Sequence, residues 1–178
     1  MDLHFGSADA GAADLLRGCS MDDFDYMRRA ITLAEEAAAA GEIPVGAVVV
    51  CRETGEILGE GRNRREADHS PTAHAEILAI EQAAKNRGTW RLDGCMLYVT
   101  LEPCPMCAGA IVNARLDRVI FGAYNADSGA VVSADRLFDH PFGHKPRVTE
   151  GLLEYPCTEL LQNFFSQLRH KSDGNCQV

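Results

Sequence analysis

The chain has 178 residues, which is enough for one domain with its own hydrophobic core. Its composition, 46% hydrophobic and 24% charged, is typical of a soluble globular protein. No apolar run approaches the roughly 20 residues of a membrane helix, and the N-terminus lacks a signal-peptide pattern, so we expect a cytoplasmic protein without membrane contact. The net charge of −9 disfavours nucleic acid as a partner only mildly, because local basic clusters decide phosphate binding.

Basic side chains cluster in three places, and charge alone leaves two interpretations open for them. They are either solvated surface or contacts to the phosphates of a nucleic acid. The clusters are Arg62, Arg64 and Arg65; Lys85, Arg87 and Arg91; and Arg169, His170 and Lys171.

The predicted elements begin after a leader. Residues 1–20 are rich in Ala, Gly and Asp and indicate a flexible segment. Ser20 and Asp23 resemble a capping box, and apolar residues then recur at helical spacing, which predicts a helix over residues 22–40. The β-branched segment 44–51 predicts a buried strand, and residues 57–62 its hairpin partner.

Helices and strands alternate in the rest of the chain. The patterns predict helices over residues 73–86, 104–114 and 158–168, strands over 95–101, 118–122 and 148–153, and a helical turn at 135–138. Strands that alternate with helices after one antiparallel hairpin indicate an α/β protein with a mixed sheet. We expect one domain over residues 21–171 and a flexible tail over residues 172–178.

Two short segments carry residues that bind metals. The first is His74-Ala75-Glu76, and the second, separated from it by 26 residues, is Pro103-Cys104-Pro105-Met106-Cys107. Cys104 and Cys107, three residues apart on the first turn of a helix, can bind one tetrahedral ion, and the helix N-terminus favours their thiolates. His74, on the first turn of another helix, supplies a third ligand. The fourth position is left for water, as in a catalytic zinc site.

Other interpretations of these segments remain. A closed structural zinc site would need Cys95 or Cys51 as a fourth ligand, and both lie in predicted apolar strands. A redox Cys-x-x-Cys would leave His74 and Glu76 without a role. Seven cysteines, an odd number, favour reduced thiols over a disulfide framework.

The two segments together resemble the H-x-E and P-C-x-x-C signature of zinc-dependent deaminases of nucleobases. The wider sequence is similar to the bacterial tRNA-specific adenosine deaminase family over residues 21–170. The similarity lies in Glu42-Ile-Pro-Val-Gly-Ala47, Thr72-Ala-His74-Ala-Glu76, Leu97-Tyr-Val-Thr-Leu-Glu-Pro-Cys104-Pro-Met-Cys107, Arg118-Val-Ile-Phe-Gly-Ala123 and Leu161-Gln-Asn-Phe-Phe165. It implies a three-layer αβα, cytidine-deaminase-like fold with a five-stranded mixed sheet, a homodimer, and conversion of adenosine to inosine at the wobble position of a tRNA anticodon.

The resemblance also assigns roles to residues. His74, Cys104 and Cys107 would bind one Zn²⁺ per subunit, and Glu76 would carry protons between water, N1 of adenine and the leaving ammonia. The substrate contacts it implies, to the anticodon stem-loop, are Asn63, the backbone of Ala75, Ile43, Leu101, Asn125, Phe164 and Phe165. A turn is an equal alternative role for Asn63, and core packing is the alternative for Ile43, Leu101, Phe164 and Phe165.

The sequence departs from the family in one loop. Asn125 stands where the family commonly has Asp, and Asp127 where it often has Lys. Asparagine adds hydrogen-bond donors and removes a negative charge, so we expect weaker dependence on the ribose 2′-OH. The alternative is that Asn125 is only a loop residue.

Three functions fit the sequence. Besides a tRNA adenosine deaminase, they are a deaminase of a free base or nucleoside, such as guanine, cytosine or cytidine, and a zinc-stabilised binding module without catalysis. Glu76 and the absence of an evident fourth ligand disfavour the module.

Overall fold

The computed structural model describes residues 21–173, including the side chains of residues 21–169. The predicted leader, residues 1–20, and residues 174–178 of the predicted tail lie outside this range. The elements in chain order are α1 Asp23–Ala39, β1 Gly46–Cys51, β2 Ile57–Arg62, α2 Ala75–Arg87, β3 Cys95–Leu101, α3 Pro105–Ala114, β4 Arg118–Ala123, a 3-10 turn Leu137–Asp139, β5 Arg147–Thr149 and α4 Glu154–Asp173.

The five strands form one mixed sheet with the order β2-β1-β3-β4-β5. Strand β1 is antiparallel to both β2 and β3, whereas β3, β4 and β5 run parallel. The parallel strands place their carboxyl ends at one edge, where the chain turns into α3 after β3 and into a loop after β4. The predicted mixed sheet is therefore confirmed.

Helices cover both faces of the sheet. Alternate side chains of the central strands enter two cores: Val49, Leu97 and Phe121 belong to one, and Val48 and Tyr98 to the other. Helices α2 and α3 pack on the first core, and α1 and α4 on the second. Within the described residues, no helix combines the length and apolar character that a membrane span requires.

Three glycines allow helices to approach the sheet closely. A Cβ atom on Gly46 would collide with the backbone of α1, and Cβ atoms on Gly59 and Gly61 would collide with the backbone of α2. At Gly61 the colliding atom is the carbonyl oxygen of Ala75, the first residue of α2. Glycine in β2 therefore fixes the distance between this strand and the start of α2.

Several predicted boundaries were wrong. Helix α1 is capped by a box of Asp22 and Asp25, not by one that begins at Ser20. Strand β5 ends at Thr149, since Gly151 and Leu153 have positive φ angles and turn the chain. Helix α4 begins at Glu154, four residues before the predicted start, and ends at Asp173, five residues after the predicted end at residue 168.

Candidate active site

The first turns of α2 and α3 meet beside the sheet and bring the predicted metal ligands together. His74 and Cys104 are the N-cap residues of these helices, with extended backbones, so neither lies on the first turn as predicted. His74 Nδ1 lies 3.7 Å from Cys104 Sγ and 3.5 Å from Cys107 Sγ. Within residues 21–169, these three residues form the only cluster of at least three side chains that could hold a metal ion.

The spacing of these atoms fits one tetrahedral zinc ion. With Zn–S near 2.3 Å and Zn–N near 2.0–2.1 Å, tetrahedral angles place the sulfur and nitrogen ligands about 3.6 Å apart. The two separations in the structure, 3.7 Å and 3.5 Å, lie on either side of this value. Cys51 and Cys95 lie at the opposite end of β1 and β3 and are not part of the cluster. The donors present therefore match a three-ligand site and do not support the closed one.

The electrostatics of the cluster favour the thiolate form of Cys104. Hydrogen bonding from the Cys107 side chain, together with His74, lowers the pKa of Cys104 to about 4. The Cys107 thiol donates a hydrogen bond to Cys104 and is buried, and both factors raise the pKa of Cys107. The hydrogen bond to Cys104 also raises the pKa of His74. The two sulfurs thus share a proton that a bound cation would displace.

Glu76 lies on the first turn of α2, two residues after His74, and is 4% exposed. Burial raises the pKa of its carboxyl group, and the negative charge of Cys104 raises it further. A carboxyl group whose protonated form is favoured in this way is suited to accept and return a proton during a reaction.

A cavity of about 120 Å³ opens onto the cluster. It is smaller than the roughly 300–1,000 Å³ typical of sites for drug-sized ligands, so it has room for a single flat ring system. Its wall includes Val45, Arg65 and Ser128, which the resemblance did not assign to the pocket, together with the predicted residues Ile43, Asn63, His74, Ala75, Glu76, Leu101, Cys104 and Asn125.

Asn63 presents an unused acceptor in this cavity. Its side chain is buried, and its Nδ2 donates to Glu42 at 3.5 Å. Among the described residues, its Oδ1 is buried and has no hydrogen-bond partner. A buried acceptor without a partner costs about 1–3 kcal/mol, which a ligand donor would recover. This favours a binding role for Asn63 over a role only in the turn.

Two buried carboxylates hold the loops around the cavity, and their roles were missed in the sequence. Glu42 accepts hydrogen bonds from the backbone N–H groups of Glu66 and Ala67 in the loop after Asn63. Glu102 accepts from the N–H of Asn125 and from three N–H groups in residues 131–133. The only sequence signal for these roles was the position of each glutamate next to an apolar strand: Glu42 shortly before β1 and Glu102 directly after β3.

The side chain of Asn125 is engaged within its own turn. Its Nδ2 donates to Ser128 Oγ at 2.9 Å, and its Oδ1 accepts from the Ser128 N–H at 3.2 Å. Asn125 and Ser128 both line the cavity. The geometry therefore gives Asn125 a turn role and also places it beside the site.

Phe164 and Phe165 lie outside the main cavity. With Leu168 they line a neighbouring cavity of about 250 Å³, which shares Ile43, Asn63 and Arg65 with the first. Their rings meet edge to face, with centroids 5.6 Å apart. Phe165 is 40% exposed, so it is not a core residue, and its contact with a substrate stays a prediction.

The three-layer fold and the His-Cys-Cys cluster beside a buried glutamate define a deaminase with the cytidine-deaminase-like architecture. Residues 21–169 match the MafB19-like deaminase family. The chain is 46% identical to the tRNA-specific adenosine deaminase of Bacillus subtilis (strain 168), over 82% of this chain and 90% of that protein. It belongs to the tRNA-specific adenosine deaminase family, as the sequence motifs predicted.

Solved structures agree with this assignment. A structure from a study of A-to-I editing by tRNA:A34 deaminases at the wobble position superposes with a TM-score of 0.74 at 42% identity, covering 76% of this chain and 98% of that one. A guanine deaminase from Bacillus subtilis gives a TM-score of 0.57 at 39% identity, covering 84% and 95%. The architecture is thus shared by enzymes of both classes that the sequence left open.

Proposed function

We propose that this protein hydrolyses the 6-amino group of adenosine at the wobble position of a tRNA anticodon, which gives inosine. The observation that carries the proposal is the cavity itself, which is lined by the buried Glu76 and by two members of the candidate metal cluster, His74 and Cys104. The name of the Bacillus subtilis relative and the subject of the A34 deaminase structure supply the substrate.

His74, Cys104 and Cys107 would hold one zinc ion per subunit. When bound, zinc supplies Lewis-acid activation of water. Glu76 accepts the proton of the attacking water, transfers it to N1 of adenine, and later delivers a proton to the departing amine nitrogen. Because the cavity wall is largely apolar at Ile43 and Leu101, the carboxyl group works in surroundings where proton transfer is not screened by bulk water.

Base recognition falls to the residues that surround this carboxyl group. Asn63 Oδ1 accepts a hydrogen bond from the 6-amino group, the N–H donor of adenine, while Glu42 holds the amide in the orientation that leaves Oδ1 unpaired. Ile43 and Leu101 contact the faces of the ring, and the backbone of Ala75 lies at its edge. The small cavity requires the nucleotide to be flipped out of the anticodon loop, with sugar and phosphate outside.

The proposed function also bears on the location of the enzyme, its oligomeric state and its contacts with tRNA. A tRNA substrate supports a location in the cytoplasm, and the family resemblance supports a homodimer. The exposed residues beside the cavity, Arg65 and Phe165, are then candidates to contact the nucleotides that flank the target.

The proposal is tested by incubating the zinc-loaded protein with an anticodon stem-loop that carries wobble adenosine. Guanine, cytosine and cytidine are incubated in parallel, and products are identified by mass. We expect a gain of one mass unit, the change from amino to oxo, only in the stem-loop. Deamination of guanine with an unchanged stem-loop would favour the free-base alternative, and no product from any substrate would favour a binding module.

Arg65 is the basic residue placed to contact a phosphate near the site. Arg62 and Arg64 pair with Glu36 and Asp68, whereas Arg65 has no acidic partner among residues 21–169. We expect Arg65→Ala to raise KM for the stem-loop several-fold and to reduce the salt slope of binding by about one counterion. Binding is measured at several salt concentrations.

The matched control for this variant is Arg28→Ala. Arg28 is an exposed arginine on α1, which packs against the sheet face opposite α2. Its removal should leave both KM and the salt slope unchanged. Affinity that does not depend on salt in the wild type would point to a small neutral substrate and contradict the proposed contact.

Asn125→Asp tests the departure from the family pattern. An aspartate can still accept from Ser128 N–H and Oγ–H, so the turn is preserved. We expect the variant to discriminate against a DNA hairpin about 2–10-fold more strongly than the natural protein, as one hydrogen bond to a 2′-OH implies. Rates on matched RNA and DNA hairpins give the ratio. Equal ratios would leave Asn125 as a turn residue only.

A further inference from the structure

Two cysteines away from the active site lie directly opposite each other on neighbouring strands. Cys51 ends β1 and Cys95 begins β3, and the antiparallel register pairs them. Leu101, at the other end of β3, lines the catalytic cavity six residues away, or about 20 Å along a strand. The reaction proposed above makes no use of this pair.

The hydrogen-bond pattern shows which kind of cross-strand pair this is. Arg52 N–H donates to Gly94 O at 2.9 Å, so the neighbouring pair is hydrogen-bonded. The N–H groups of Cys51 and Cys95 donate instead to Glu56 O and Leu92 O. Cys51 and Cys95 therefore form a non-hydrogen-bonded pair, for which Cα atoms lie about 4.5 Å apart. This is within the range of roughly 4.4–6.8 Å that a disulfide spans.

The surroundings of the two thiols differ in a way that suits stepwise oxidation. Cys51 is partly exposed, and the hydroxyl and N–H of Thr54 stabilise its thiolate, which lowers its pKa. Cys95 is fully buried, and burial raises its pKa. Arg87, the last residue of α2, donates from Nη1 to Cys95 Sγ at 2.9 Å, and its positive charge opposes this rise. The same charge also acts on Cys51.

We propose that Cys51 and Cys95 are a thiol–disulfide redox site that reacts with peroxides. The Cys51 thiolate attacks a peroxide oxygen, so an S–O bond forms, the O–O bond breaks and hydroxide leaves. The Cys95 sulfur then attacks Cys51 Sγ, which forms the S–S bond and expels the second hydroxide. Two thiol protons convert both hydroxides to water. The thiols lose two electrons and hydrogen peroxide gains them. A dithiol reductant reverses the change.

The disulfide would stabilise the part of the fold that carries the catalytic residues. The closed loop runs from Cys51 to Cys95 and contains β2 and α2, with His74 and Glu76 at the start of the helix. Closing a loop of this length restricts the unfolded chain. Its expected effect is a rise of roughly 5–10 °C in Tm.

The zinc-loaded protein is treated with hydrogen peroxide, alkylated, digested and mapped by mass spectrometry. We expect one intramolecular peptide pair joined through Cys51 and Cys95, and a Tm that falls on addition of dithiothreitol. Cys51→Ala and Cys51→Ser should both lose the linked peptide and the rise in Tm. In Cys95→Ala, dimedone should label Cys51, because its sulfenic acid has no partner thiol.

Three results would overturn the proposal. The first is recovery of Cys51 and Cys95 as alkylated thiols after oxidation of the wild type. The second is a disulfide between Cys51 and another cysteine. The third is a rise in Tm that persists in Cys51→Ala. These measurements use no deaminase activity, so they stand apart from the test of the proposed function.

Discussion

Replacing Glu76 with alanine should abolish nearly all deamination while the fold and the metal site remain. General acid–base catalysis is typically worth about 10²–10⁴-fold in rate. Two carboxyl groups line the cavity: Glu102 holds the surrounding loops, and Glu76 lies beside the candidate metal ligands. The loss should appear in kcat, because the proton is moved in the transition state and not on binding. Single-turnover rates on the wobble stem-loop measure it.

The folding of this variant should be normal. The Glu76 side chain is buried and its pKa is raised by burial, so removing it relieves a desolvation cost that offsets the loss of its hydrogen bond to Cys107, and no ion pair is broken. We expect unchanged zinc content and a Tm no lower than that of the wild type. Glu81→Ala, which removes an exposed carboxylate from the same helix, is the matched control and should retain full activity. Near-normal turnover in Glu76→Ala would show that another group carries the proton.

The second large effect is expected on loss of a metal ligand. Elemental analysis should find one zinc per chain, and X-ray absorption should find one nitrogen and two sulfur ligands from the protein. Cys104→Ala should reduce zinc to well below one per chain and remove activity, because two remaining ligands hold the ion poorly. It should also lower Tm, since a ligand that binds only the folded state stabilises that state.

A cysteine outside the cluster provides the control for this variant. Cys51→Ala, at the far end of β1, should bind one zinc per chain like the wild type. A chelator applied to the wild type should reproduce the phenotype of Cys104→Ala, and added zinc should reverse it. A protein purified without zinc that still deaminates, or a spectrum that requires four protein ligands, would contradict the assignment.

The cluster of candidate metal ligands could be predicted from the sequence because the relevant information is local. A Cys-x-x-Cys segment at a helix start places both thiols near exposed N–H groups, and a histidine before the first turn of another helix has the same setting. The strands β2 and β3 were also located correctly, since each is a short run bounded by turns. The two segments were joined into one predicted site because their side chains together complete a three-ligand zinc site, and the deaminase signature has the same segments.

The loop anchors could not be predicted in the same way. Glu42 binds N–H groups 24 and 25 residues away, and Glu102 binds N–H groups up to 31 residues away. Nothing in the local pattern says which backbone a buried carboxylate will meet. The early start of α4 was missed because the apolar spacing used for the prediction begins after Thr158. Pro156 lies in the first turn of the helix, where proline is tolerated because its missing N–H has no partner to lose.

The glycines of β2 help to position His74 in the candidate metal site, although they lie more than ten residues before it in the sequence. The start of α2 rests on Gly61 with backbone against backbone, and His74 is the residue immediately before that start. The cysteines, by contrast, are positioned by α3 after β3. The three ligands therefore belong to two separately supported helix ends, and one methyl group in β2 would displace one end relative to the other. The arrangement of the candidate metal ligands is therefore set partly by Gly61, which is not itself one of those ligands.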